Sequence, residues 1–122
     1  MKFDEFLARY HDEVIGDLDD EATIQVVSMD PKEFLSVQVH PDEAYAQAAE
    51  GDHEKAESWY ILHAEPGAEL IAGCLTDDVD ALRAAAADDT IGNRYGKRVE
   101  MHEGDFILIP AGTMHALGPG IF

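Results

Sequence analysis

Residues 98–117, RVEMHEGDFILIPAGTMHAL, hold three short runs with apolar residues, cut by the turn signals Glu103-Gly104-Asp105 and Pro110-Ala111-Gly112. None of these runs has the length of an ordinary helix, and β-branched and aromatic residues between Gly and Pro read as strands joined by turns. Parallel strands need crossovers of a dozen residues or more, so this spacing commits the segment to antiparallel pairing. A doubly wound α/β sheet is excluded for this part of the chain.

The rest of the chain has the same grain, with a few helical stretches. Phe3, Phe6, Leu7, Tyr10 and Val14 recur at helical spacing and predict a short amphipathic helix over 3–15, which GDLDDEA then breaks. Strands are expected over 23–29 and 34–40, on either side of the turn DPKE. PDEAYAQAAE predicts a helix of a few turns, with Pro41 at its start and Gly51 at its end. Residues 58–64 and 68–75 read as an antiparallel pair across Pro66-Gly67. Thr76 is the expected cap of an inserted helix in which Val79, Leu82 and Ala86 share a face. Many short strands, hairpin turns and few helices predict a mostly β chain, a β-barrel or sandwich with the helices outside.

At 122 residues the length fits one domain. We divide it into an N-terminal helix and connector, 1–22, and a single barrel domain, 23–122. A hydrophobic content of 46% supports a core, while 26 Asp and Glu against 8 Lys and Arg give a net charge of -18. Such a field repels phosphate backbones and argues against a nucleic-acid partner. It also disfavours an anionic substrate unless basic groups or a metal gather at the site. No stretch has the length and apolarity of a membrane span, and the N-terminus is too charged for a signal peptide. The single cysteine, Cys74, excludes an internal disulfide framework. A cytoplasmic address is expected.

Side chains two apart in a strand share a face. In LSVQVHP this puts Ser36, Gln38 and His40 on one side and Leu35, Val37 and Val39 on the other. A solvated face is one reading, because half-buried strands also alternate. Two other segments favour a second reading. Glu57 shares a strand face with Trp59 and Ile61, so a carboxylate is aligned with large apolar residues, and His115 follows the Pro110-Gly112 turn. Gln38, His40, Glu57 and His115 together offer an amide oxygen, two imidazoles and a carboxylate. That set suits a divalent metal, zinc first, with water or substrate completing the shell. His11 and His53 read as surface residues and His102 as a turn residue. His63 shares the expected strand face of Glu57 and either lines a pocket or is a partly buried, hydrogen-bonded histidine.

The segments LSVQVHPDEAYA, KAESWYILHAEPGAELIAG and GDFILIPAGTMHALGPGI resemble, in order and spacing, the type I phosphomannose isomerase family. The resemblance implies a cupin-type (jelly-roll) antiparallel β-barrel, zinc or another divalent metal, and conversion of mannose 6-phosphate to fructose 6-phosphate. In the family pattern the metal ligands fall on Gln38, His40, Glu57 and His115, the four already selected. An active-site lysine falls on Lys55, and a contact to the substrate phosphate on Ser36. The implied chemistry is a proton shuttle through an enediol, with metal-bound hydroxide, Lys55 or His63 as candidate bases.

The chain also departs from the family. Val27 stands where the family commonly has a phosphate-binding lysine, and Phe122 precedes a segment whose arginine serves the active site. The resemblance therefore covers the metal-binding part of the first barrel. Two outcomes are open: a minimal zinc-dependent sugar-phosphate isomerase, or a degenerate metal-binding cupin that binds sugar or regulates without turnover. An iron(II) cupin enzyme is a third class that two His and a carboxylate would suit, though Gln38 argues against it. Unpaired strand edges in a partial barrel predict a homodimer.

Overall fold

The computed structural model describes residues 1–17 and 25–122. Its elements are, in order, α1 (Phe3–Arg9), α2 (His11–Val14), β1 (Gln38–Val39), α3 (Glu43–Tyr45), β2 (Glu57–Tyr60), β3 (Glu69–Cys74), α4 (Val79–Ala87), α5 (Ile91–Tyr95), β4 (Gly96–Glu100), β5 (Phe106–Ile109) and β6 (Met114–Ala116). Every strand pairing is antiparallel. The fold is mostly antiparallel sheet with a few short helices, as the turn spacing predicts. The strands form a four-stranded sheet ordered β1-β6-β3-β4 and a two-stranded sheet of β2 and β5, with no closed barrel among the described residues.

β6 is an inner strand of the larger sheet. His115 stands opposite Gln38 of β1 on one side and Ala72 of β3 on the other, so these three form one row across the strands. A bulge between Ile71 and Cys74, with Gly73 at φ +100, bends β3 away from strict register with β4. Leu70, Ile61, Leu117, Met101 and Ile121 fill the main core. Ile61, Leu70, Ile109 and Ile121 are almost wholly buried, and each such side chain contributes about 1.5–3 kcal/mol through burial. A second cluster, Ile71, Met114 and Ala116 with Val37 and Ile91, joins the larger sheet to α5.

Several expectations change. The helix over 3–15 is two pieces, broken at Tyr10, whose φ of -123 leaves helical geometry. Of the strand over 23–29, Thr23 and Ile24 lie outside the described residues, and 25–29 is unpaired. Of the strand over 34–40 only Gln38–Val39 is regular strand, although the Leu35 N–H also donates to the Leu117 carbonyl at 3.0 Å. Residues 68–75 are not the partner of 58–64: β3 pairs with β4 and β6, and β2 with β5. The 103–105 and 110–112 turns exist, but each carries the chain from one sheet to the other instead of closing a hairpin. Asp78, not Thr76, caps α4, accepting from the backbone N–H groups of Asp80 and Ala81. Ala85 is the buried residue of that helix, and Val79 is exposed.

The helix over 41–50 is found as α3 followed by a wider π-type turn, Ala46–Glu50, and it ends at Gly51 with φ +67. Asp42 caps it by accepting from the Tyr45 N–H at 2.9 Å. Glu43 then reaches forward to accept from the Glu54 N–H at 2.8 Å, tying the following loop to the helix just before Lys55 and Glu57.

Candidate metal centre

Three elements converge. β1 leads into His40, β2 begins at Glu57, and β6 carries His115 at its middle. The Gly112 N–H donates to the His40 carbonyl at 2.7 Å, which pins the turn before β6 to the end of β1. Gly112 has φ +80, a conformation glycine adopts without penalty.

The Nε2 of His40 lies 2.9 Å from Glu57 Oε1, and Lys55 Nζ lies 2.8 Å from the same oxygen. His115 Nε2 stands 3.8 Å from Glu57 Oε2, too far for a hydrogen bond. Its other nitrogen, Nδ1, is 2.8 Å from the Thr113 carbonyl. A carbonyl only accepts, so Nδ1 carries a hydrogen and Nε2 is the nitrogen left to meet a metal. That Nε2 is buried and has no hydrogen-bond partner. Leaving a buried polar atom unsatisfied costs about 1–3 kcal/mol, and a bound cation removes this cost.

One atom each from His40, Glu57 and His115 lies within 4.8 Å of the others. Two imidazoles and a carboxylate are the donor set of catalytic zinc sites that keep a position open. The Nδ1–H of His115 on a backbone carbonyl is the outer-shell contact that metal-ligating histidines usually make. The residues present therefore fit a divalent metal. Partial burial pushes the Glu57 carboxyl up, but the neighbouring Lys55 ammonium and then His40 outweigh it. The group sits below the ordinary carboxylate value and stays an anion for a cation to meet.

A cavity of about 580 Å³ opens over Glu57 and His115. Gln38, Ser36 and Lys55 line it together with Glu57 and His115, so five of the residues expected from the sequence face one space. Gln38 Nε2 donates to Ser36 Oγ at 3.0 Å, and both side chains are exposed. Val27 also lines the cavity. His40 joins through its bond to Glu57. His63 does not join: β2 ends at Tyr60, and the chain turns so that His63 pairs through its backbone with Phe122, with Nδ1 4.0 Å from Glu103. The expectation that it shares the face of Glu57 is corrected accordingly. Two contacts of His115 were not expected from the sequence, those with the Thr113 carbonyl and with the indole of Trp59, whose ring centre is 5.6 Å from that of His115.

No family model matches the chain. Curated proteins do. It is 43% identical over 93 residues to the mannose-6-phosphate isomerase of Streptococcus mutans, covering 76% of this chain and 29% of that protein. It is 34% identical over 117 residues to the Bacillus subtilis mannose-6-phosphate isomerase ManA, covering 94% and 37%. The crystal structure of the mannose 6-phosphate isomerase from Bacillus subtilis superposes with a TM-score of 0.71 at 31% identity, over 94% of this chain and 37% of that one. The chain thus spans about a third of the length of the relatives it matches. Over that third, shared sequence and shared fold agree, and the chain belongs to the mannose-6-phosphate isomerase family.

Proposed function

We propose that this chain carries the metal centre of a zinc-dependent isomerase that interconverts mannose 6-phosphate and fructose 6-phosphate. The observation that carries the reading is the buried, unpartnered Nε2 of His115, set beside Glu57 and His40, where Glu57 and His115 line a cavity. His40, Glu57 and His115 would hold the ion, with Gln38 as a fourth ligand through its amide oxygen. The bound ion supplies Lewis acidity to the adjacent carbonyl and hydroxyl oxygens of the sugar.

In the shuttle, one proton leaves C2 and returns at C1, while the hydroxyl hydrogen passes from O2 to O1. Lys55 is the proton carrier in this reading, because it lines the cavity where His63 does not. Ser36, at the cavity wall, would meet the sugar phosphate. The barrel domain is 23–122, the address cytoplasmic, and the chain a homodimer. The pairing is supported by the unpaired edges of the two-stranded sheet among the described residues. No helix of the described residues is long and apolar enough to cross a membrane.

One observation favours a second reading, a metal-binding cupin without turnover. Lys55 is the only cationic side chain lining the cavity among the described residues, and it is already paired with Glu57. A phosphate dianion would meet little positive charge there beyond the metal. A coupled assay on mannose 6-phosphate with added zinc separates the readings. Turnover that falls at least about a hundredfold in His40→Ala supports the isomerase. Zinc binding without turnover in the unaltered chain supports the second reading, and turnover undiminished in His40→Ala contradicts the metal mechanism.

A further inference from the structure

Trp59 is the only tryptophan of the chain. It follows Glu57 by two positions in β2, so both side chains leave the same face of the strand, toward the larger sheet. Its ring meets that of His115 at 5.6 Å between centroids with an interplanar angle of 71°, an edge-to-face contact. The indole is half-buried, packs against the main core and also lines the cavity.

The three candidate ligands are not held alike. His40 and Glu57 orient each other directly at 2.9 Å, and Lys55 gives Glu57 a second anchor. His115 bonds to neither of the other two. It has one hydrogen bond, at Nδ1, which fixes its tautomer but lets the ring pivot about that atom. The aim of Nε2 therefore depends on what presses on the ring. Two rings do: His40, at 5.0 Å and itself a candidate ligand, and Trp59.

We propose that Trp59 is a positioning residue for a divalent metal: its indole holds the His115 ring so that Nε2 faces Glu57 and His40. Trp59 touches no ion in this role and acts through His115. The inference rests on reading the trio as a metal centre. It adds a residue from outside the donor set whose loss weakens metal binding by loosening a single ligand.

The test uses the intact chain, with zinc as the probe and a chromophoric chelator as competitor. Trp59→Leu weakens zinc binding about tenfold, the scale found when a group that orients a ligating histidine is removed. Trp59→Phe, which keeps an aromatic edge, recovers affinity to within about threefold of the unaltered chain. In a His115→Ala background, Trp59→Leu changes zinc affinity by less than about twofold, because the ligand it positions is gone. Equal losses in the two backgrounds overturn the positioning role, as does unchanged affinity in Trp59→Leu. If Trp59→Leu fails to fold by circular dichroism, Trp59→Met takes its place in both backgrounds with the same expected results. Absence of zinc binding in the unaltered chain overturns the metal-centre reading along with this one, whereas normal binding with no effect of position 59 overturns this one alone.

Discussion

His115 uses its two nitrogens differently: one hydrogen bond to Thr113 fixes the tautomer, and the other nitrogen is buried with nothing to bond. Glu43 shows the opposite arrangement, an exposed carboxylate with several donors. The Glu54 N–H, then His53, hold its carboxyl below the ordinary value of 4.5. A group depressed on folding contributes above its unfolded value, and the contribution is lost as pH falls through the folded value. Protection of the Glu54 amide from hydrogen exchange, corrected for the intrinsic rate, should therefore be full at about pH 6 and disappear below the ordinary carboxylate range. Glu43→Ala should lack it at both pH values; protection that survives in this variant would contradict the tether. Of the four expected ligands the structure brings His40, Glu57 and His115 together, and Glu57 was legible in the sequence because a carboxylate on an apolar strand face shows against a period of two. His63 was misread because that count holds only while the strand lasts, and β2 stops at Tyr60. The contacts of Thr113 and Trp59 with His115 left no sequence pattern, since one is made by backbone and the other spans two sheets.

At the scale of elements, strand existence was legible and partnership was not. Pro66-Gly67 does make a turn, yet β3 finds its neighbours in β4 and β6. A local turn signal says that the chain reverses, while pairing is set by which faces bury together. Glycine positions mark where elements press closest. A Cβ on Gly118 would overlap the Glu69 carbonyl oxygen, at the start of β3, and stand 2.9 Å from the Phe34 ring. Backbone cannot yield as a flexible side chain does, so Gly118→Ala should destabilise the fold by about 3 kcal/mol. Urea unfolding would show this as a lower midpoint at unchanged slope. A midpoint equal to that of the unaltered chain would contradict the packing of the segment after β6 against β3.

The whole molecule combines a net charge of -18 with an exposed group of apolar side chains. Tyr60 stands opposite Phe106 across the two-stranded sheet, with Leu108 and Leu62 nearby in sequence, and all four are between 56% and 65% exposed. Two like-charged copies repel least where neither carries charge, so we expect the homodimer to form through this face and to strengthen with salt, which screens the repulsion. Light scattering should show a dimer that Phe106→Asp disrupts; a monodisperse monomer at all salt concentrations would contradict it. Under the proposed function the same acidity gives the metal centre added weight, because a cation there would be the main positive charge available to an anionic sugar. Equilibrium dialysis against zinc tests that centre most directly. The unaltered chain should bind about one ion, and His115→Ala should bind it at least tenfold more weakly. Equal binding by the two, or none by either, would contradict a metal held by His40, Glu57 and His115.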